Sequence, residues 1–275
     1  MEQYYFLFAL AGIWTLFATI QDVKTTEISN WLNFSLIAFA LAYRGFYSIF
    51  IGNFNFLFYG IGGVVLFWAL GSLFYYGRIF AGGDAKLLFG LGAVLPFESL
   101  FDYVSLGIGF ILLLFVVGAV YSLVYTLFAV SKNPKGFKKE FIKEFKLYRK
   151  YRNLFYLLII LLIIFIFMFG EFNRLFALSF ILILLWPLLY FYAKAVEKSC
   201  MVKFVSPGNL MEGDWLIKDV KVNGKTIKKT VHGLNKKEIA LLRRAKKKIW
   251  IKGGIPFSPV FFITLILFGL WYFSI

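Results

Sequence analysis

Cysteine and histidine are almost absent. The chain has one of each, Cys200 and His232. One cysteine forms no internal disulfide and no Cys-x-x-Cys metal framework, and a lone histidine with no cysteine beside it reads as solvated or structural rather than as a ligand. His-Glu-x-x-His is impossible with one histidine, and neither a Gly-x-x-x-x-Gly-Lys-Ser/Thr loop nor a Gly-x-Ser-x-Gly elbow occurs. NTP-driven transport through such a loop, serine hydrolysis by that elbow and zincin chemistry are thereby excluded. Acids are scarce too, 14 against 30 Lys and Arg. The few carboxylates are the main candidates for chemistry.

Apolar length is what the chain has in excess. Of 275 residues, 61% are hydrophobic, and the mean hydropathy is +0.79. A soluble domain has about 45–50% apolar residues. Eight runs approach the ~20 apolar residues that span a bilayer. They cover residues 4–20, 31–51, 56–76, 85–101, 104–130, 154–170, 174–193 and 256–275. The sequence therefore reads as an α-helical polytopic membrane protein of about eight transmembrane helices, with a small cytoplasmic α+β domain. The first run is expected to be a retained helix, because Met1-Glu2-Gln3 carries no positive charge and no small-x-small site follows.

The net charge of +16 is unevenly placed. Nine Lys/Arg fall in 131–152, sixteen in 194–254, and three (Lys24, Arg78, Lys86) near two aspartates; only Arg44 and Arg174 lie elsewhere. Cytoplasmic loops carry the Lys/Arg excess, so the expected orientation has the N-terminus outside and both Asp22 and Asp84 at the cytoplasmic face. The basic loops suit anionic headgroups of membrane lipids. This one-sided distribution favours topology and lipid contact, with no nucleic-acid partner.

Five segments follow. Residues 1–130 form a membrane core of helices one to five. Residues 131–153 form a basic segment with Phe141, Phe145 and Tyr148 at helical spacing, expected to lie along the inner surface as an amphipathic helix. Residues 154–193 form a transmembrane hairpin through Gly170–Arg174, with Pro187 expected to kink its second arm. Residues 194–254 form a small polar domain. Strands are expected at 202–205, 215–222, 226–231 and 249–252, with an Asn223-Gly224 hairpin. A helix from Asn235 to about Lys248 has capping-box spacing. Residues 255–275 are the last span. Glu212 and Asp214 read as turn residues before a strand.

Two acids stand out. Asp22 ends the first apolar run, and Asp84 follows Gly82-Gly83 after the third. An ionisable group in or bordering the membrane is costly and is a functional hypothesis by default. Each also has a plain reading, Asp22 as a solvated helix end and Asp84 as the cap of a Gly-rich turn. Helices one and three run the same way, so both acids fall at one face. Two carboxylates a few Å apart share a proton; the ionised one can activate water while the other supplies a proton. The pair titrates as a unit, so base and acid are not assigned by sequence. Lys86 could tune the pair or, by snorkelling, anchor its helix.

Asp22 after a first apolar helix, and Gly82-Gly83-Asp84-Ala85-Lys86 after a third, resemble the two aspartate motifs of the prepilin peptidases, intramembrane aspartyl proteases of Gly-x-Gly-Asp type. The family's second motif reads Gly-x-Gly-Asp-x-Lys, and here its first glycine is Ala81. The first motif often carries Ile-Pro-Asn, and here it is Ile28-Ser29-Asn30. The chain lacks the Cys-rich domain of bacterial members. It resembles the archaeal prepilin and preflagellin peptidases, also in Pro207–Trp215 and in Gly254-Ile255-Pro256-Phe257. The resemblance covers helices one to four, about 100 residues.

This resemblance implies a six-helix core to which 154–193 is added. It implies catalytic Asp22 and Asp84, with Gly82, Gly83 and Lys86 supporting the motif, and neither cofactor nor metal. The implied partners are pilin or archaellin precursors with class III signal peptides, cut at the cytoplasmic face just before their hydrophobic helix. Two other functions stay open: an intramembrane protease of presenilin or signal-peptide-peptidase kind, and an ion-coupled transporter.

Overall fold

A computed structural model describes residues 2–148, 153, 156–157, 159–161, 188–222, 224–230 and 233–274. Most of the hairpin expected over 154–193, with Pro187, lies outside these residues, as do His232 and Asn223. The chain divides into two compact units, Met1–Leu123 with Ile255–Ile275, and Val124–Gly254.

The first unit is helical. α1 (Glu2–Thr25), α2 (Asn30–Ile51), α3 (Asn55–Tyr76) and α5 (Leu100–Lys132) are each long and apolar enough to cross a membrane. At 1.5 Å per residue α1 is about 36 Å long, against a ~30 Å hydrocarbon layer. α4 (Gly82–Gly92) is short, and α8 (Ser258–Ser274) is a shorter apolar helix of 17 residues. Along α1, Tyr4, Leu7, Ala11, Thr15, Ala18 and Asp22 are buried, whereas Tyr5, Phe6, Ile13 and Phe17 face outward. Steps of three and four residues trace one helical face. The periodicity that packs α1 on α8 and α2 therefore also carries Asp22 inward.

α4 packs chiefly on α3 and α2. Glycines make this possible, since in lipid close packing drives helix association. A Cβ on Gly63 would stand 2.1 Å from the Gly92 carbonyl oxygen, and one on Gly60 2.3 Å from the Arg44 side chain.

The run 85–101 is not one spanning helix. α4 ends at Gly92, and residues 93–99 continue without regular structure to α5. At 11 residues α4 is about 16 Å long, roughly half the hydrocarbon thickness. Yet Gln3, at the start of α1, donates to Glu98, and the Tyr4 hydroxyl donates to the Phe97 carbonyl. Residues 84–98 thus reach from the Asp22 end of α1 to its opposite end, partly as helix and partly as irregular chain.

Irregular backbone at this depth needs protein partners, because lipid supplies none. Arg44 is the partner here. Fully buried on α2, it donates to the carbonyls of Ala93 (2.7 Å), Leu95 (2.7 Å) and Phe56 (2.8 Å). Its guanidinium lies 4.5 Å from the Phe56 ring centre and 5.5 Å from that of Tyr4. A buried cation is tolerable only with such partners, and a cation suits the carbonyl end of a helix.

The second unit has its own core. α6 (Pro134–Leu147) is capped by Asn133, which accepts from the Gly136 N–H. Its aromatic face meets a helical stretch at 188–199, with Phe137 against Tyr192 and Phe145 against Phe191. Buried Glu144 pairs with Lys198. Phe137, Phe145 and Tyr148 are half-buried by these ring contacts.

β1 (Val202–Val205), β2 (Trp215–Leu216) and β5 (Ile249–Lys252) form an antiparallel sheet in the order β1-β5-β2. β3 (Val220–Val222) and β4 (Lys225–Ile227) form a hairpin. Val222 pairs with Lys225 across two residues, and Gly224 takes φ 77°. That left-handed value is the one an Asn-Gly turn supplies. The strand expected at 215–222 is two short strands, and that at 226–231 is only Lys225–Ile227. α7 (Lys236–Arg244) starts with a complete Asn235/Glu238 capping box. It ends four residues earlier than expected, where Lys246 takes φ 49°. Leu210, Leu216, Val222, Ile239, Leu242 and Ile251 belong to this core.

Candidate active site

Asp22 lies in the last turns of α1 and Asp84 in the first turn of α4. Both are buried, with 7% and 8% of their surface exposed. They stand at one end of the first unit, within electrostatic reach of each other. The structure therefore brings together the two acids that the sequence singled out.

Asp22 is held by α8. Its Oδ2 accepts the Ser258 hydroxyl at 2.8 Å and the Ser258 N–H at 3.1 Å. In the first turn of α8 the Ser258 N–H is the one that reaches the carboxylate, since Pro259 has no N–H and the Val260 N–H donates to the Phe257 carbonyl.

Asp84 is held by the corner between α1 and α2. Asn33 of α2 donates to the carbonyl of Gly83 at 3.3 Å. A Cβ on Gly83 would come within 3.2 Å of the Ile28 side chain, whereas one on Gly82 would meet only Tyr75, at 3.6 Å. Gly83 is thus the glycine that close approach requires. Ala81 caps α4 at φ −71°, ψ 163°. Any residue adopts that region, so alanine replaces glycine there without backbone strain. Lys86 donates to Asn30 at 2.6 Å in an exposed contact. This ties α4 to the start of α2. The Gln21 side chain accepts the Ser29 N–H at 2.9 Å and closes the same corner.

Two buried polar atoms near the pair, Asn33 Oδ1 and Thr19 Oγ1, have no partner among the described residues. No cluster of three or more His, Cys, Asp or Glu that could hold a metal occurs among them either.

Sequence reasoning missed Ser258, Asn33 and Arg44. Arg44 left a signal as the lone charge within the run 31–51. Ser258 left little, being one polar residue at the mouth of the last apolar run. Glu212 and Asp214 lie in the second unit as turn residues. Asp214 accepts the Met211 N–H at 2.9 Å, and Glu212 pairs with exposed Lys236. Burial pushes the Asp214 carboxyl above its ordinary value, against the Met211 N–H and the Lys203 charge that favour the anion.

Fold and site together define a class: a polytopic helical membrane protein with a buried carboxylate pair at one end of its helices. Residues 9–123, which contain both acids, match the type IV leader peptidase family. The chain is 30% identical over 149 residues to the preflagellin peptidase of Methanococcus voltae, covering 51% of this chain and 64% of that one. It is 31% identical over 100 residues to the preflagellin peptidase of Methanocaldococcus jannaschii, covering 36% and 42%. The Methanococcus maripaludis protein of the same name is 30% identical over 100 residues, covering 36% and 43%. The chain thus spans between 42% and 64% of the length of these relatives. No solved structure matches it significantly. The resemblance to leader peptidases read from the two aspartate motifs is borne out over this stretch.

Proposed function

We propose that this protein is a membrane-embedded aspartyl endopeptidase that removes the leader peptide of pilin or archaellin precursors. The observation that carries the reading is the buried pair itself: Asp22 and Asp84 at one end of the helices, inside the stretch that matches the leader peptidases. The similarity to three preflagellin peptidases supports the choice of substrate.

The chemistry uses only water and the pair. One carboxylate takes a proton from water as the water oxygen bonds to the scissile carbonyl carbon. The other, protonated, hydrogen-bonds the developing oxyanion. The C–N bond then breaks and the departing nitrogen takes a proton from the pair, so one water is consumed and the pair is restored. Asn33 Oδ1 and Thr19 Oγ1 are buried acceptors suited to an extended backbone beside the acids. The Lys/Arg distribution supports an active site at the cytoplasmic face of the cell membrane, with the N-terminus outside.

The cut site tests this reading. Purified protein in detergent is mixed with a preflagellin, and the product's new N-terminus is sequenced. The expected cut falls just before the precursor's hydrophobic segment. A cut within that segment, or an intact precursor, would sink the proposal.

A further inference from the structure

We propose that Ser258 is a positioning residue that makes Asp22 the proton acceptor of the pair and leaves Asp84 as the proton carrier. The inference rests on the peptidase reading above and deepens it, since neither the sequence motifs nor the relatives' names divide the roles. Ser258 is also outside the matched stretch 9–123.

Ser258 is the first residue of α8 and is fully buried. It donates to Asp22 twice, and both bonds reach the same oxygen. The N–H lies 3.1 Å and the hydroxyl 2.8 Å from Oδ2. The hydroxyl is also 3.5 Å from the Ala18 carbonyl. It has one hydrogen, and the shorter, charge-assisted partner takes it. Two donors on one oxygen suit a carboxylate rather than a proton carried on that atom. Oδ2 is thereby occupied, and Oδ1 is the oxygen that meets water. The N–H belongs to the first residue of α8, which has no earlier helical carbonyl to bond, so the Asp22 carboxylate is its partner.

The steps then take named atoms. A water O–H bond breaks and its proton goes to Asp22 Oδ1, while the water oxygen bonds to the carbonyl carbon. The C–N bond breaks and its nitrogen takes the proton of Asp84. The proton on Asp22 passes to Asp84 before the next turnover.

The test compares Ser258→Ala and Ser258→Thr with Asp22→Asn, in detergent, on a preflagellin, with melting temperatures measured alongside. Losing one charge-assisted donor is expected to lower kcat about 10- to 100-fold with KM unchanged. Ser258→Thr keeps the hydroxyl and is expected to cleave close to wild type. A purely structural role would affect stability and KM, and threonine would not rescue it. Ser258→Ala cleaving at the wild-type rate while Asp22→Asn is inactive overturns the assignment and leaves the peptidase reading standing. A normally melting Ser258→Thr that is as slow as Ser258→Ala overturns it too. If Ser258→Ala fails to fold, the threonine variant alone decides: normal kcat supports the role, and lost kcat with a normal melt contradicts it. Normal cleavage by Asp22→Asn removes the peptidase reading and this inference together.

Discussion

Gly63 of α3 and Gly92 of α4 stand back to back. A Cβ built on Gly63 would lie 2.1 Å from the Gly92 oxygen, and one built on Gly92 would lie 2.3 Å from the Gly63 oxygen. Backbone offers no rotamer to yield, so any side chain must push α4 away from α3. Gly63→Ala is expected to cost about 1–3 kcal/mol, as overpacking does. Gly45→Ala, with nothing within 4 Å of its added carbon, is the control and should melt like wild type or slightly higher. Equal melting temperatures for the two variants in detergent would contradict the close approach.

Arg44 is expected to be the most damaging single loss in the first unit away from the acids. Arg44→Met removes the guanidinium donor from the carbonyls of Phe56, Ala93 and Leu95, of which Leu95 keeps the Phe97 N–H. Each lost bond to the charged group costs about 1.5–3 kcal/mol. Arg44→Lys presents a point charge instead of a planar fork and recovers only part of the loss. Thermal unfolding in detergent checks the order: wild type above Lys, and Lys above Met.

The motif residues beside Asp84 should separate by what they touch. Gly83→Ala presses on Ile28 and is expected to lower cleavage more than Gly82→Ala, which meets only Tyr75. Lys86→Met loses one exposed contact to Asn30. A contact of that kind is worth about 0–1 kcal/mol, so a change of no more than a few-fold is expected. Cleavage rates of the three variants at matched membrane levels give the comparison. A Lys86→Met variant as inactive as an aspartate variant would assign the lysine a direct part in the chemistry.

Asp214 gives a local pH dependence in the second unit. Burial raises its pKa in the fold, so the folded state binds the proton more tightly than the unfolded state. The native turn is then favoured at low pH and loses that advantage as pH rises through the raised value. Asp214→Asn keeps an acceptor for Met211 without the charge. Hydrogen exchange across residues 210–216 should show the variant gaining protection over wild type as pH rises. A difference that is flat with pH, or of opposite sign, would contradict this.

What the sequence revealed and what it hid follow physical lines. Asp22 and Asp84 were placed at one end because helix direction follows from counting crossings. The Asn235/Glu238 box and the turn at Gly224 were readable because they are local, each within a few residues. The break in α4 was not. An apolar run does not show that a guanidinium two helices away accepts the duty of ending it. Nor does it tell whether Phe137 and Phe145 will meet lipid or the helical stretch at 188–199, since the ring is apolar in either place. Ser258 lies 236 residues from its partner, beyond any local pattern.

The central claim is that Asp22 and Asp84 together cleave the precursor. Each is changed alone to Asn, which keeps shape and hydrogen bonding and removes the titrating group. Cleavage of a preflagellin is then followed in membranes, with insertion checked by the level of full-length protein. Both variants are expected to insert at wild-type levels and to leave the precursor uncut. Cleavage at the wild-type rate by either one would contradict the account.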